Sequence, residues 1–563
     1  MRPCHWLLSA TLALLFAGCN GVAALSFTGA EDEGPGLLDP GPDDEEMRGQ
    51  DPDLFAIASR YFPSEDAVAA RTRIFRLTRK QLDLTSASLF PQYSAAPLSS
   101  ALPQDPLQTN YEYAENLAFS GANFTPYNQW VEKLTTTVRD APGSVIDCAQ
   151  SNNSPACLED KARAFLVRAF RGTASQETLD KYTQFFLASV PEVGLPTATA
   201  DLVDVTLSAP GFLYRDEVLT DDTGVLRPAQ QLQQLSYALA DAPPEALGFT
   251  SASPELHVGS PEALSEAVDA VLASELGRQK LQRFFTAWLE VKESDTFTIE
   301  PSVFPEFTPQ VAAAAVEDTR RFLEHHLSQA TPKLGDITQS TRSFVSRAMA
   351  PLYGLPANTD PDAPVELDRS KRLGLFTQPA VLASHSGPTT TRLVKRGVFF
   401  TRKVMCLPLG GVPSGIDTSV PEGEVMTERQ KIETVTSQAS CAGCHDYINP
   451  FGFMQENYDA IGRWRETDEG LPVDPSISVK FLDEGPFATS SPVEAIGTFT
   501  RSLRFKQCFV RQLFRFYMGR DETPADDPLL RKMFFTFAKD DELVGLLQLL
   551  ATAPHFTARG ETP

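Results

Sequence analysis

The residues with the clearest chemistry are Cys441, Cys444 and His445, which stand in the run CAGCH at 441–445. Two cysteines separated by two residues can each form a thioether bond to a haem vinyl group, and the adjacent histidine can then bind the iron. The order and the spacing predict a haem c site with iron bound by His445. A disulfide, a redox-active dithiol and half of a zinc site are the alternatives. For zinc, a second ligand pair at regular spacing is not found.

The second axial ligand of the iron is left open by this motif. His385 is a candidate because it lies in a turn of the preceding segment. Met454 is another, since the nine residues that separate it from His445 span roughly 30 Å when extended. A water or an empty position is also possible, and it would permit ligand or peroxide chemistry. Further candidates are the other methionines near this segment: Met405, Met426 and Met518.

Three consecutive residues after the motif, Arg463, Trp464 and Arg465, could line the haem. The two guanidinium groups flank the indole and could donate paired hydrogen bonds to the propionates. Alternatively, Glu456 and Asp459 pair with these arginines in a purely structural cluster of charges.

The first residues predict an export signal. Arg2 precedes an apolar run from Trp6 to Ala17 that is too short to span a membrane, and the residues before Cys19 resemble a bacterial lipobox. We therefore predict a signal peptide over 1–18 and lipidation of Cys19, so that membrane contact is through the lipid only. Asn20 is not the Asp of an inner-membrane retention signal, which favours the outer membrane or cell surface. A plain cleaved signal is the alternative.

Export to an oxidising compartment makes the remaining cysteines candidates for disulfides. Local pairing predicts a bond between Cys148 and Cys157 across a polar loop, and elimination then pairs Cys406 with Cys508. Four cysteines allow three pairings, so this connectivity is one of three. The long-range bond would tie together the two flanks of the haem segment.

The charge of the chain limits its partners. With 563 residues, a net charge of −24 and a pI near 4.8, it concentrates Lys and Arg nowhere. Nucleic-acid binding is therefore not expected, and a redox partner protein is expected to be cationic. The sequence also has no Ser-His-Asp signature, P-loop, Rossmann glycine pattern or zincin motif.

Helical periodicity predicts a mainly α protein, and the length predicts three or more packed units. Residues 28–54 carry ten acidic residues against a single Arg, which predicts a disordered tether. Around the motif we expect a turn at 449–452 and a short helix at 456–464. The predicted division is an acidic disordered tether at 19–54, an N-terminal helical region at 55–145, a small helical domain at 146–205, a large helical domain at 206–367, a cytochrome c-like haem module at 368–480 and a C-terminal helical domain at 481–563.

Three stretches carry a resemblance to known proteins: LGLFTQPAVLASHSGPTTTRLVKRG at 373–397, CAGCHDYINPFGFMQENYDAIGRWRETDEG at 441–470 and CFVRQLFRFYMGR at 508–520. They resemble large exported bacterial proteins built from domain-of-unknown-function families 1595, 1592, 1588 and 1585, regarded as cytochrome c-like because of CxxCH. The likeness covers most of residues 73–560. It implies haem, export and a helical body, and it implies no substrate.

Together these observations predict a surface-anchored, c-type cytochrome-like lipoprotein that transfers electrons through one covalently bound haem. A haem enzyme of the peroxidase or oxidase type is the second reading. A haem-free structural or glycan-binding envelope lipoprotein, whose CxxC is only a staple, is the third.

Overall fold

The computed structural model describes residues 41–65, 70–93, 97–108, 111–113, 117–218, 220, 224–411, 425–437 and 439–560. The predicted signal peptide, the lipidation site Cys19 and the first part of the predicted tether lie outside these residues. Within them the protein is mainly α-helical, as the periodicity predicts. In the described ranges no helix is both long and apolar enough to cross a membrane.

The helices of the first two thirds of the chain start mostly at a capping side chain or at a proline in the first turn, which are common helix-start signals. In chain order they are α1 (Asp44–Gln50), α2 (Pro52–Tyr61), α3 (Arg79–Leu89), α4 (Leu98–Ala101), α5 (Gly121–Asp140), α6 (Pro155–Ala169), α7 (Gln176–Val193), α8 (Leu195–Leu207), α9 (Pro210–Leu213), α10 (Pro228–Ala240), α11 (Glu255–Val258), α12 (Pro261–Ala273), α13 (Glu275–Trp288), α14 (Pro309–Leu327), α15 (Leu334–Gln339) and α16 (Ala350–Tyr353).

The last third holds the haem motif and the C-terminal helices. Its helices are α17 (Pro379–Ser384), α18 (Leu393–Phe399), which continues as a π-helical turn over Phe400–Val404, α19 (Glu428–Thr436), α20 (Ala439–Phe453), α21 (Pro492–Arg501), α22 (Leu503–Met518), α23 (Asp527–Asp540), α24 (Leu543–Thr552) and α25 (Pro554–Thr557). Single 3₁₀ turns lie at Pro142–Ser144, Ala149–Ser151, Pro244–Leu247, Leu375–Thr377 and Pro524–Asp526.

The strands of the described residues form only two-stranded sheets. One of them pairs a strand near the start of the described chain with one near its end, in parallel, and the others are antiparallel. The pairs are β1 (Ala70–Arg71) with β10 (Arg559–Gly560), β2 (Ile74–Arg76) with β3 (Tyr214–Asp216), β4 (Arg342–Ser343) with β5 (Val365–Glu366), β6 (Thr467–Asp468) with β7 (Leu471–Pro472), and β8 (Ile477–Val479) with β9 (Phe487–Thr489).

The predicted tether is wrong over residues 44–54, which lie in α1 and α2. The acidic residues here cap helices: the Asp43 side chain accepts from the backbone of Glu46, whose own side chain returns to the Asp43 N–H. Met47 is fully buried, and the Asp44 carboxylate lies 2.7 Å from Arg531 on α23. Low apolar content predicted disorder, but caps and a basic partner distant in sequence order this segment.

Two local predictions beside the haem motif are also wrong. Residues 449–452 do not form a turn, because α20 continues to Phe453 with Pro450 inside it. A proline near the end of a helix removes one hydrogen bond, and the carbonyl that it frees belongs to an exposed residue, where water can bind it. Residues 456–464 form turns closed by a bridge between Tyr458 and Trp464 instead of a helix.

Both predicted disulfides are present. Cys148 bonds Cys157, and Cys406 bonds Cys508 across 102 residues of sequence. The second bond joins Cys406, two residues after the π-helical turn, to Cys508 in α22. It therefore ties the segment before the haem motif to the C-terminal helices, as the sequence predicts.

The largest core cluster does not stop at the predicted domain borders. Trp288 of α13, Phe451 of α20 and Phe499 of α21 belong to one continuous set of buried apolar side chains. A second cluster lies among α3 and α5–α8. The helix that carries the haem motif is thus built on a core shared by three of the predicted units.

Candidate haem-attachment site

The CAGCH run lies in the first half of α20. Residues three and four apart share a helix face, at 100° per residue, so Cys441, Cys444 and His445 line one side of the helix. Cys441 is buried, while Cys444 and His445 are partly exposed. Both cysteines carry thiols, so the structure does not contain the disulfide that was one alternative for this motif.

Hydrogen bonds determine the tautomer of His445. The Ile432 carbonyl can only accept, so the Thr436 hydroxyl, 2.8 Å away, donates to it. Thr436 Oγ1 then accepts from Asn449 Nδ2 at 3.2 Å. This turns Asn449 Oδ1 towards His445 Nδ1 at 2.8 Å, where it accepts the Nδ1–H. The neutral imidazole therefore carries its proton on Nδ1 and a lone pair on Nε2.

This arrangement fits covalent haem. Iron-binding histidines almost always donate the other ring N–H to a fixed acceptor, which orients the ring and raises its basicity. Two thiols and an imidazole with a lone pair on Nε2 are also the donor set that haem c requires. Among the described residues, no group of three His, Cys, Asp or Glu side chains is placed to hold a metal ion.

Helix α20 packs closely against α18 through two glycines. A Cβ added at Gly397 would lie 2.3 Å from the Ile448 carbonyl oxygen, and one added at Gly452 would lie 2.5 Å from that of Leu393. Real Cβ atoms do not approach so closely, so the backbones can touch only because these side chains are absent. The contact fixes the second half of the helix whose first half carries the motif.

Replacing Gly452 with alanine should therefore destabilise the protein by about 1 to 3 kcal/mol, because the added methyl forces the two helices apart. Gly443 lies on the same helix with nothing within 4 Å of its added Cβ. Gly443→Ala should instead be neutral or stabilise by up to about 1 kcal/mol. Guanidinium unfolding of both variants measures this difference. An equal effect of the two substitutions would contradict the close packing.

His385, the first candidate for the second axial ligand, lies in the core. Its Nε2 is 2.8 Å from the Leu289 carbonyl oxygen, and its ring stacks on Phe399 at a centroid distance of 3.8 Å. Burial lowers its pKa to about 3. The structure thus gives this imidazole a structural hydrogen bond, while its role as an iron ligand stays a prediction.

The burial of His385 predicts a loss of stability in mild acid. Its pKa is about 3 when folded and near 6.5 when unfolded, so the unfolded state binds one more proton between these values. Stability should fall by about 1.4 kcal/mol per pH unit as pH drops below 6.5. Substituting His385 by asparagine should remove one proton from this slope, measured by urea unfolding between pH 7.5 and 5. His326, whose pKa burial lowers to about 4, adds a second proton to this slope. An unchanged slope in the variant with both histidines changed to asparagine would refute the assignment.

The methionine candidates are mostly buried. Met454, Met405 and Met518 belong to the large core cluster, whereas Met426 is partly exposed just before α19. A methionine in a packed core is held by apolar contacts, so ligation by any of these three would require rearrangement of the core.

The charged residues after the motif pair with one another. Arg463 Nε lies 2.9 Å from Asp459, and Arg465 Nη1 lies 2.6 Å from Asp468. The ring of Trp464 packs edge-on against Tyr458. This matches the structural cluster given above as the alternative to propionate binding, with Asp468 as a partner that the sequence reasoning missed.

Glu456 does not pair with these arginines through its carboxylate. That carboxylate accepts from the backbone N–H groups of Arg429, at 3.2 Å, and Asp474, at 2.9 Å. Only its backbone carbonyl receives Arg465 Nε. Glu456 therefore joins α19 to the loop before β8.

Two buried arginines that sequence reasoning missed hold the loop after α20. Arg396 donates to the carbonyls of Tyr458, at 2.8 Å, and Asp459, at 2.7 Å. Arg372 donates to that of Gly462 at 2.7 Å. Burial lowers the pKa of Arg396 to about 9. Such arginines are hard to predict, because hydrogen bonds to backbone carbonyls follow no sequence motif.

Comparison with protein-family models gives two matches. Residues 226–355 match PSD4, a protein of unknown function (DUF1592), and residues 372–468 match PSCyt3, a protein of unknown function (DUF1588). Comparisons with curated proteins and with solved structures each gave no significant match. The second segment contains His385, the CxxCH motif and Arg465. Residues 226–355 and 372–468 are therefore similar to the DUF1592 and DUF1588 families, two of the four families that the sequence resembles.

Proposed function

We propose that this protein transfers electrons through one haem bound covalently by Cys441 and Cys444, with His445 as an axial iron ligand. The observation that carries the proposal is the hydrogen-bonded chain that leaves a lone pair on His445 Nε2, on the helix face shared with both thiols. The cytochrome-like name of the matched family supports it in general terms. When bound, the haem would supply a one-electron couple.

Each residue of this site would have a distinct task. The thiols of Cys441 and Cys444 would form the thioether bonds, and their places three residues apart on one helix face allow both to reach one porphyrin edge. Asn449 would hold the His445 ring and its proton. Thr436 would in turn hold the Asn449 amide in the accepting orientation.

We further propose that the protein acts at the outer membrane or cell surface. The support is the sequence of the first residues, which resembles a lipoprotein signal ending at Cys19. The lipid would be its only membrane contact. Because the protein has a net charge of −24, it would associate fastest with a redox partner protein that is cationic.

Intact mass tests the haem directly. The full chain, produced with its export signal and a haem-maturation system, should gain about 616 Da and show a c-type band in reduced-minus-oxidised spectra. The variant with Cys441 and Cys444 both changed to alanine should gain nothing. A colourless wild-type protein at the polypeptide mass, with both cysteines open to alkylation, would refute the proposal. Iron that binds cyanide and turns over peroxide would instead indicate the peroxidase- or oxidase-type enzyme.

Asn449→Ala should weaken the bond between His445 and iron. Loss of the acceptor at Nδ1 lowers the basicity of the ring and frees its orientation, and such partners typically contribute 10- to 100-fold in affinity. Added imidazole should therefore displace His445 at a concentration at least about tenfold lower than in the wild type. Thr436→Val, which only releases the Asn449 amide, should give a smaller change of the same sign. If the imidazole titration curves of both variants equal that of the wild type, Asn449 and Thr436 do not position His445.

A further inference from the structure

A cavity of about 630 Å³ lies among α10, α13 and the end of α22, and the haem motif does not contribute to it. Ligand pockets commonly fall between about 300 and 1,000 Å³. Its inner wall combines rings and charged groups: Arg215, Tyr237, Asp241, Lys280, Phe516 and Tyr517. Nothing in the proposed electron transfer uses these residues.

Two buried donors on this wall have no partner within the described part of the chain. The Tyr517 hydroxyl makes no hydrogen bond, although the side chain is 3% exposed. Arg215 is 6% exposed, its Nε has no acceptor among the described residues, and its Nη1 donates to the Gln234 side chain at 3.3 Å. Its guanidinium lies over the rings of Phe75, at 4.2 Å, and Tyr237, at 5.3 Å. Buried donors without acceptors are costly, so two on one wall indicate an acceptor that belongs there.

Lys280 adds a third donor. Its Nζ donates to Asp241 Oδ1 at 2.8 Å and to the Tyr237 carbonyl at 2.9 Å, and an ammonium has three N–H groups. The same Nζ lies 5.6 Å from the Tyr517 ring centroid, so the lysine lies next to the ring that carries the unpartnered hydroxyl. Burial lowers the pKa of Lys280 to about 8, and a bound anion would oppose that shift.

The charges of the inner wall leave a positive excess. Among the lining residues, Arg215, Lys280 and Arg283 face one buried carboxylate, that of Asp241, which pairs with both Lys280 and Arg283. The buried Glu217 also acts on Arg215, but it already pairs with Arg73 and Arg559. Glu112 also lines the cavity and interacts with Arg283 and Lys280, while burial raises its pKa, so the wall holds three cations against two carboxylates. The remaining charged residues of the lining are two acidic and two basic ones: Glu290, Glu293, Lys292 and Arg320.

We propose that this cavity binds a small organic anion, a ring that carries one carboxylate. The carboxylate accepts from Tyr517 Oη and Lys280 Nζ near Arg215, and the ring lies against the aromatic side chains of Phe516 and Tyr111, which also line the cavity. Hydrogen bonds to charged groups are stronger than neutral ones, so the unpartnered hydroxyl discriminates between a carboxylate and a neutral group of the same shape.

Calorimetric titration of the full mature protein with benzoate, and with its neutral isostere benzamide, tests this. Benzoate should bind with a millimolar or lower Kd and benzamide at least about tenfold more weakly. Tyr517→Phe should reduce benzoate affinity about tenfold or more without lowering stability, because the lost hydroxyl makes no bond in the free protein.

Tyr182→Phe is the matched control. Tyr182 lies on α7, outside the cavity, and its ring packs on Phe170. This substitution should leave benzoate binding unchanged. Absence of benzoate binding to the wild type, equal binding of benzamide, or an unaltered affinity in Tyr517→Phe would each overturn the proposal. None of these outcomes depends on whether haem is attached at Cys441 and Cys444, so the two proposals fail separately.

Discussion

Replacing Arg396 with methionine should destabilise the protein by about 3 kcal/mol or more. The guanidinium is buried and donates to several acceptors, among them the carbonyls of Tyr458 and Asp459 and the Ser386 hydroxyl oxygen at 2.8 Å. Methionine fills much of the volume but leaves these acceptors buried without donors, at about 1 to 3 kcal/mol each. Removing a buried charge offsets part of that cost. Because at least three acceptors lose their donor, the lost hydrogen bonds cost more free energy than the removal of the buried charge regains.

Guanidinium unfolding followed by tryptophan fluorescence measures this effect, since Trp464 lies in the loop that Arg396 holds. Arg396→Lys keeps the charge but not the planar fork, so it should also lose about 2 kcal/mol or more. Arg501→Met is the control, because that exposed arginine makes one hydrogen bond to the side chain of Gln339. It should change stability by less than about 0.5 kcal/mol. A methionine variant as stable as the control would show that the loop does not depend on Arg396.

Removal of the bond between Cys406 and Cys508, by changing both to alanine, should destabilise the protein by about 4 to 5 kcal/mol. A disulfide restricts the unfolded chain in proportion to the logarithm of the loop that it closes, and this one closes 102 residues. The same treatment of Cys148 and Cys157, which are nine residues apart, should cost only about 2 to 3 kcal/mol.

The two double variants control for each other, because each loses two sulfurs. Unfolding under identical oxidising conditions gives both values, and the long loop should show the larger loss by about 2 kcal/mol. Equal losses, or a greater loss at Cys148 and Cys157, would contradict the loop-closure argument. The expected order also bears on the site, since the long bond secures the segment before α20 to α22.

Much of the helical body follows from local sequence. The residue pattern of 157–187 predicts two helices broken at Gly172, with the second starting near Ser175, and Ser175 does cap α7. Apolar spacing likewise predicts a helix over 311–329, where α14 lies. The one long helix that it predicts over 261–291 is wrong, because Ser274 caps a second helix and divides the stretch into α12 and α13. These elements are predictable because a face of regular spacing and a capping side chain act within one or two turns.

The candidate site was predicted only as far as its motif. The types and spacing of Cys441, Cys444 and His445 predict haem attachment without any knowledge of the fold. The tasks of Asn449 and Thr436 were missed, because a turn was expected where α20 continues. Once that stretch is helical, Asn449 lies one turn after His445, and the hydrogen bond between them follows from the spacing.

The sequence by itself determined the CxxCH motif, the helical class and a disulfide pairing that the structure contains, because each depends mainly on residue type and spacing along the chain. The tertiary structure alone decided that Asp44 pairs with Arg531, that Arg396 and Arg372 hold the loop after α20, and that Arg215, Lys280 and Tyr517 share one cavity. These features join residues tens to hundreds of positions apart. Their energies come from burial and hydrogen bonds that exist only when those segments meet, and no local pattern encodes them.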